Sequence, residues 1–498
     1  MVDLTNIWGK SATTKPVRKV GRRQFAGAQT GRLVSDWVTV PRPMDALIRE
    51  GLQKLVARTR EQSLNNDYVR RYIKLLRSNV VGPKGIVLQG RIVNERGEPD
   101  NRDNKALEEA WADWGTRGSC DVTGQMSWID CENLFIETVA KDGEAMLALI
   151  PGWKHNRHSF AVQFIDTQSL DVNFNEKLRN GNVVRMGVET NNYLRPVAYW
   201  LRVNPTDAYD YLANGVRYRR IDASRVIHRY MLESAWQTRG FPWLAASLMK
   251  LNMLDGYTEA ELVAARVGSA KMGFFETQGD AMYEGDDVDS DGNIVMDADP
   301  GTFATLPQGV KLAEWSPDHP STAFDSFIKT NLRGLAAGMG VSYFSLANDL
   351  EGVNNNSARV GLLEDREMWK QLQRWQIESL CQPVFNAWLP QSLLAGGITN
   401  PNGTPVPARR LDKFSRVSWQ PKRWQWVDPK KEMDSYREGL ALKILSPQQV
   451  IQDMGTDPDQ VLEDWEVWNQ KLEAKNLGML FDGGKQIAPE PGDQNEND

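Results

Sequence analysis

The chain has 498 residues, with 59 Lys and Arg against 65 Asp and Glu, and a formal net charge of −6. This length supports several buried cores without metals or disulfides, and the three cysteines form no CxxC pair, which favours a reducing compartment. The sequence has no apolar run of about 18 residues, so we expect no membrane span. The N-terminal residues lack the apolar core of a secretory signal. The net acidic charge argues against a general nucleic-acid binder.

Charge is distributed unevenly along the chain. Residues 1–32 hold seven basic residues against one acid and little apolar material, which predicts a flexible basic arm, with or without a partner. Residues 280–299 contain eight acids and no Lys or Arg. The end of the chain is acidic and rich in Pro and Gly, so we expect a disordered tail over 478–498.

Helical spacing follows the arm. Pro43-Met44-Asp45 begins one helical pattern, and a second runs from Tyr68 to Leu76 and stops before Gly82-Pro83. Alternating or β-branched runs separated by turn residues then predict six strands, which are 86–88, 144–150, 160–165, 183–188, 197–203 and 226–230. We therefore expect an α+β region of roughly 200 residues.

From Pro242 the apolar period becomes helical. Leucines at 244, 248, 251 and 254 begin a pattern that continues to about Lys271, which predicts a helix of about 45 Å. Because this helix is too long and too polar on one side for an ordinary core helix, its apolar face needs a partner. A strand-like run follows at 272–275, and a second helical pattern runs from Phe324 to Met339.

The C-terminal part is also mainly helical. The polar stretch 348–359 is turn-prone and precedes a third long helix, in which we expect a kink at Pro383. A turn-rich hairpin region around 400–403 follows, and a small helical unit over about 430–477 closes the ordered part.

Motifs for catalysis are missing from the sequence. It has no P-loop, HExxH or GxSxG motif, so we predict no catalytic residue, no cofactor and no enzyme. His155 and His158 lie in a turn-like stretch, which predicts a surface loop. His228 lies within an apolar strand pattern, which predicts a hydrogen-bonded structural histidine.

One acidic motif resembles a calcium site. Asp287-x-Asp289-x-Asp291-Gly292 matches the first half of an EF-hand loop, but Ala298 stands where a bidentate Glu should close the shell. We favour a solvated acidic loop that binds no metal. The alternative functions from the residues alone are a metal-dependent hydrolase that uses the acids of 286–299, and a ring or scaffold protein that carries no DNA.

The chain is also rich in tryptophan, with 18 in total. Buried core is the expected place for most of them. Some are expected at subunit interfaces, where tryptophan is enriched.

Short motifs follow one another in a fixed order over about residues 33–470. Two carry most weight, Arg239-Gly240-x-Pro242-Trp243 before the long helix and Asn356-Ser357-x-Arg359 before the third. The others are Asn65-Asn66-Asp67-Tyr68, Asn79-Val80-Val81-Gly82, Asp142-Gly143-Glu144, Val226-Ile227-His228-Arg229-Tyr230, Gly340-Val341-Ser342-Tyr343 and Trp426-Val427-Asp428-Pro429. In this order the chain resembles the lambda-type bacteriophage portal proteins, which are head-tail connectors.

The resemblance implies an α+β, mostly helical portal fold that forms a ring, usually of twelve copies, at one capsid vertex. Double-stranded DNA would pass along the ring axis during packaging and ejection. The implied layers are a basic arm (1–32), an α+β wing (33–241), stem helices (242–272 and 320–340), a clip with the acidic loop (273–319), a tunnel loop with a long kinked helix and wing return (341–429), a helical crown (430–477) and the acidic tail (478–498).

The resemblance also implies two sites. The DNA-channel residues of the tunnel loop would be Asn354, Asn355, Asn356, Ser357 and Arg359. The clip residues that dock the terminase large subunit and the head-completion or tail proteins would be Asp286, Asp287, Asp289 and Asp291.

Further implied partners are the major capsid and scaffold proteins, with no membrane, and the implied locations are the virion and the host cytoplasm during assembly. A conduit benefits from walls that do not adhere to DNA. The acidic total therefore excludes an adhesive DNA binder but fits a channel.

Overall fold

The computed structural model describes residues 32, 35–36, 38–202, 218–269, 273–277, 310–314, 324–351, 355–424, 429–454 and 458–474. The chain divides into two compact units. One comprises Met1–Arg77, Asn133–Ile150 and Val162–Gln371, and the other comprises Ser78–Glu132, Pro151–Ala161 and Leu372–Asp498. None of the described helices has the length and apolar content needed to span a membrane.

The first unit begins with two helices, α1 (Met44–Asn65) and α2 (Asp67–Leu76). Asn66 between them is extended, and its side chain accepts a hydrogen bond from the Val69 N–H at 3.0 Å, which caps α2. Both helices were predicted from their apolar spacing.

Two antiparallel arrangements of strands follow. β2 (Glu144–Pro151) lies between β3 (Phe160–Ile165) and β9 (Val226–Tyr230) in a three-stranded sheet. A five-stranded sheet has the order β4-β5-β6-β7-β8, with strands Glu176–Lys177, Val183–Arg185, Val188–Thr190, Pro196–Arg202 and Tyr218–Asp222. Their shared core contains Met146, Leu170, Val188, Tyr199, Leu201 and Val226.

The predicted strand over 183–188 is two strands in the structure. Met186 and Gly187 have φ values of 48° and 82°, so the chain turns there and β5 pairs with β6. The strands at 144–150, 160–165 and 226–230 are confirmed, and the strand at 197–203 is confirmed as far as Arg202, after which the chain lies outside the described residues. Strands β4 and β8 were not predicted, and neither were the helices α3 (Asn101–Trp114) and α4 (Trp128–Asp142).

The long helix α5 (Leu248–Ser269) is shorter than predicted, because residues 242–247 form turns. Its 22 residues span about 33 Å. The short strands β10 (Gly273–Thr277) and β11 (Val310–Glu314) pair antiparallel. The predicted second helix is confirmed as α6 (Phe324–Met339).

Helices α7 (Tyr343–Ala347) and α8 (Asn355–Gln376) complete the first unit. The predicted polar loop is a loop only in part, because α8 begins at Asn355. Asn355, Asn356, Ser357 and Arg359 lie in its first turns. Asn354 lies outside the described residues.

The second unit pairs β1 (Val87–Gly90) with β12 (Val417–Gln420). A kink was predicted at Pro383. In the structure a short π-helix, Ile377–Cys381, lies directly before α9 (Gln382–Ala395). Proline has no N–H to donate to the carbonyl four residues earlier, so the hydrogen-bond pattern shifts there. The remaining helices are α10 (Leu411–Phe414), α11 (Pro429–Ala441), α12 (Pro447–Asp453) and α13 (Pro458–Ala474).

An aromatic cluster forms the core of the second unit. Trp111 lies 4.7 to 5.8 Å, between ring centroids, from each of Trp114, Trp128, Phe385, Trp388 and Trp419. The expectation of buried tryptophans is confirmed for Trp111, Trp114, Trp128 and Trp388, while Trp419 is half-buried. Three others are exposed, namely Trp236, Trp465 and Trp468.

Candidate subunit interface and DNA channel

Helix α5 is apolar on two sides. Leu248, Leu251 and Leu254 are buried. On the opposite side Met249, Met253 and Val263 are 67%, 69% and 54% exposed.

Gly256 and Ala260 lie between these exposed side chains and are exposed as well. The five residues follow one another at intervals of four and three, which places them on one face of the helix. We call Met249, Met253, Gly256, Ala260 and Val263 the α5 stripe.

The side of α5 away from the stripe contacts α6. The Tyr257 ring lies 5.9 Å from Phe324 and 5.1 Å from Phe327. A Cβ at Gly334 would lie 2.7 Å from Lys250 Nζ, and one at Gly338 would lie 3.0 Å from Ser247 Oγ. The space beside these two glycines is thus filled by side chains of α5 and of the residue before it. Together with the ring contacts, this shows that α5 has a partner for one apolar side within its own chain.

A buried ionic network holds the segment that leads into α5. The Arg239 guanidinium donates to the Glu144 carboxylate, with Nε to Oε1 at 2.8 Å, and the Gly240 N–H donates to Oε2 at 3.0 Å. His228 Nε2 lies 3.0 Å from the same Oε2. Arg239 also donates to the carbonyl oxygens of Met186 and Leu170.

The contacts within this network determine the charge states of Glu144 and His228. Burial by itself would raise the pKa of Glu144, but the charge of Arg239 and the hydrogen bond from His228 outweigh burial and hold the pKa at about 2. Burial lowers the pKa of His228. His228 is thus the structural histidine that was predicted, and Glu144 is ionised.

Two glycines of the sequence motifs allow this approach. Gly143 has a φ of 87°, and a Cβ there would overlap the backbone of Phe241. A Cβ at Gly240 would overlap the carbonyl group of Gly143. Only glycine fits at either position, which explains two residues of the motifs in physical terms.

A second anchor fixes α5 near its middle. The Asn66 amide donates to both carboxylate oxygens of Asp255, each at 2.8 Å. Asn66 is buried and also caps α2. The α1–α2 junction is thereby tied to α5.

Helix α8 is tied to the turn that follows α6. The Asp365 carboxylate accepts hydrogen bonds from the Ser342 N–H at 2.9 Å, from the Ser342 hydroxyl at 2.6 Å and from the Ser345 hydroxyl at 2.8 Å. Gly340 before this turn has a φ of 70°. The middle of α8 is thus tied to the segment that follows α6.

His155 and His158 lie in a turn region, as predicted, and His155 is exposed, but the side chain of His158 departs from the prediction of a surface position. It is buried, its Nδ1 lies 2.8 Å from Ser392 Oγ, and its Nε2 lies 2.9 Å from Asp113 Oδ2. This order of groups resembles a hydrolase triad. Ser392 is fully buried within α9, so its hydroxyl cannot meet a substrate, and the contacts join α3 to α9.

The predicted clip residues Asp286, Asp287, Asp289 and Asp291 lie outside the described residues, as does the rest of the EF-hand-like motif. Within the described ranges, no group of three or more His, Cys, Asp or Glu side chains could hold a metal ion. The roles of the clip and channel residues stay predictions.

Sequence comparisons agree on one family. The profile of the lambda family of phage portal proteins matches residues 30–373. The probable portal protein of Halomonas phage phiHAP-1 (isolate -/Gulf of Mexico/-/2001) is 35% identical over 490 residues, which cover 96% of this chain and 92% of that protein. These matches favour a portal protein over a metal-dependent hydrolase.

Two solved structures that are similar to this chain have 13% sequence identity with it. One is the neck of an empty gene transfer agent particle, with a TM-score of 0.42 and coverage of 85% of this chain and 98% of that one. The other is the HK97 family phage portal protein from Corynebacterium diphtheriae, with a TM-score of 0.33 and coverage of 61% and 83%. From the family profile and the phage relative, the chain belongs to the lambda family of phage portal proteins, whose role is structural and not enzymatic.

Proposed function

We propose that this portal protein forms a closed ring at one vertex of the phage capsid, and that double-stranded DNA passes through the ring during packaging and ejection. Family membership supports the proposal. We further propose that the ring is dodecameric, that it assembles in the host cytoplasm, and that the clip acids dock the terminase and the head-completion proteins.

The observation that carries the proposal is the α5 stripe. It is a row of apolar and small residues about 21 Å long, from Met249 to Val263. An exposed apolar row of this length marks an interaction surface. The other apolar side of α5 is already covered by α6, so a second copy of the chain is the natural cover for the stripe.

The contact is expected to be heterologous. In a closed ring each subunit presents one surface to the neighbour on one side and a different surface to the neighbour on the other. The stripe of one subunit would therefore pack against a different face of the next. A two-fold dimer would instead pack stripe against stripe and would leave no channel.

The channel residues fit a weak contact with DNA. Asn354, Asn355, Asn356 and Ser357 carry uncharged amide or hydroxyl groups, and Arg359 supplies one cation per subunit. DNA affinity depends mainly on how many phosphates are neutralised. One arginine per subunit allows transient, sequence-independent contact without halting the passage of DNA.

The test is the replacement Met253→Glu in the full-length chain. A carboxylate in a packed apolar interface is expected to abolish ring assembly, because a buried charge without a partner costs several kcal/mol. The measurement is the mass in solution by sedimentation velocity. The matched control is Leu232→Glu, since Leu232 has a similar exposed fraction, 71% against 69%, and lies outside α5.

The proposal predicts rings for the control and monomers for Met253→Glu, with equal helical content in both. If Met253→Glu assembles as the unmodified chain does, the stripe is not the subunit interface.

A further inference from the structure

A groove adjoins the C-terminal end of the stripe on a neighbouring flank of α5. It has a volume of about 630 Å³ and is bordered by the α1–α2 junction on one side and by the C-terminal half of α5 on the other. On α5 four of its lining residues, Asp255, Glu259, Leu262 and Arg266, are spaced by four, three and four residues, and the lining also includes Thr258 and Val263, the last residue of the stripe. That spacing defines a flank between the stripe and the buried side of the helix.

The groove is both apolar and acidic. Tyr68 and Leu262 give it apolar surface, while Asp67, Asp255 and Glu259 give it three carboxylates against the single guanidinium of Arg266. The pKa of Tyr68 is raised by burial and by the charges of Asp67 and Asp255. The negative field therefore acts inside the groove.

One carboxylate is held in place before any ligand arrives. Asp255 is fixed by the buried Asn66 amide, which donates to both of its oxygens. An ordered carboxylate loses little side-chain entropy when it binds a cation, which favours binding.

The N-terminal arm has the complementary chemistry. Residues 15–25 read KPVRKVGRRQF, with five basic residues and no acid, and with Val17, Val20 and Phe25 between the charges. Basic and apolar side chains alternate there much as acidic and apolar ones do in the groove. A purely acidic or a purely apolar segment would match only half of the lining.

The arm is also long enough to reach the groove. The continuously described chain begins at Val38, next to the start of α1, and the groove lies at the other end of α1, about 33 Å away along the helix. The 18 residues between Val20 and Val38 can span about 60 Å when extended. The reach exceeds the distance even if the path curves.

We propose that residues 15–25 of the basic arm bind this groove, from the same chain or from a neighbouring subunit. The basic side chains pair with Asp67, Asp255 and Glu259, and the valines cover Leu262. This binding does not require the ring, since an arm can occupy the groove of its own chain.

The test is disulfide cross-linking in the full-length chain that carries Val20→Cys and Leu262→Cys. The native cysteines are buried, so the two new thiols are the accessible ones. The control pair is Val20→Cys with Leu232→Cys, because Leu232 is the same residue type with nearly the same exposure, 71% against 67%. We expect the Leu262 pair to form several-fold faster than the control pair under mild oxidation.

Charge is tested separately in the same background. Asp67→Asn with Glu259→Gln removes two exposed carboxylates and leaves the Asn66–Asp255 contact intact, so the fold is retained. We expect these changes, and a rise in salt from about 0.1 M to about 1 M, to bring the rate close to that of the control, because salt screens the attraction. Gel mobility shows whether the link lies within one chain or joins two.

Equal rates at positions 262 and 232 would overturn the proposal, and another partner would then be the occupant of the groove. A fast cross-linking rate at position 262 that is unaffected by Asp67→Asn with Glu259→Gln and by salt would also overturn the proposal. Neither result would decide whether the ring forms, because Met253→Glu tests the stripe ten residues away from Val263, the stripe residue that also lines the groove.

Discussion

At the scale of single residues, two buried glutamates differ in charge because their neighbours differ. Glu144 pairs with Arg239, and its pKa is lowered to about 2. Glu132 accepts a hydrogen bond from the Ile86 N–H at 3.1 Å and contacts the Cys381 thiol. Burial raises the pKa of Glu132 to about 8, since these partners offset burial only in part.

The first prediction concerns Glu132 and pH. Its pKa is about 8 in the folded chain and near its ordinary value of 4.5 in the unfolded chain, so folding holds a proton that the unfolded chain releases. The contribution of Glu132 to the free energy of unfolding is therefore fully present below about pH 4.5 and is lost as the pH rises to about 8.

Glu132→Gln removes this titration while it keeps an acceptor for the Ile86 N–H. We expect the variant to lose less free energy of unfolding between pH 5 and pH 8 than the unmodified chain, as measured by urea denaturation. Parallel pH profiles for the two proteins would show that Glu132 is ionised in the folded chain.

The second prediction compares two glycines with similar backbone angles. Gly143→Ala adds a Cβ that overlaps the Phe241 backbone, whereas Gly152→Ala adds one that meets nothing within 4 Å. The φ values are 87° and 75°, so both replacements carry a left-handed penalty of about 1–2 kcal/mol.

Only Gly143→Ala adds a steric clash, and the clash lies in the segment that leads into α5. We expect it to lower the free energy of unfolding by at least about 2 kcal/mol more than Gly152→Ala, as measured by chemical denaturation. Similar losses for both variants would mean that the Gly143–Phe241 contact relaxes without cost.

At the scale of elements, the apolar periodicity of the sequence predicted several helices and strands correctly. The strand over 226–230 and helix α6 were predicted with the observed bounds, because their apolar positions repeat every two or every 3.6 residues. Helix α3 was missed although its signal was present. Its buried positions have helical spacing, and they are Ala106, Leu107, Ala110, Trp111 and Trp114.

Contacts between remote residues could not be predicted from one sequence. His158 is buried because Asp113 and Ser392 meet it from 45 and 234 residues away. The tie between Asn66 and Asp255 spans 189 residues. Local pattern carries no information on such pairs, so the motif residues were recognised but their structural purpose was not.

The third prediction concerns the beginning of α8. Arg359→Ala removes the one cation among the predicted channel residues. We expect assembled rings of this variant to bind duplex DNA more weakly and with a smaller salt dependence, since fewer counterions are released. The measurement is fluorescence anisotropy over a range of salt concentrations.

The control for this prediction is Arg374→Ala. Arg374 lies on the same helix, is exposed and pairs with Glu378. We expect its loss to leave DNA binding unchanged. If Arg359→Ala behaves like this control, the DNA-channel assignment is wrong.

At the scale of the whole molecule, the net charge of −6 bears on the release of DNA as well as on its binding. It argues against tight binding of DNA, and a conduit needs walls from which DNA releases easily. The exposed stripe on α5 and the exposed Trp465 and Trp468 on α13 are costly in a solitary chain. They make sense for a subunit that is completed by its neighbours.

The proposed function depends on the assembly of this chain into a ring through which DNA can pass. The most direct test is the mass of the purified full-length chain in solution, combined with negative-stain images of the same sample. We expect closed rings with a central hole wide enough for duplex DNA and a mass that is a whole multiple of 56.3 kDa, with a factor of twelve for the proposed dodecamer. A monomer or dimer at every concentration, or closed particles without a hole, would contradict it.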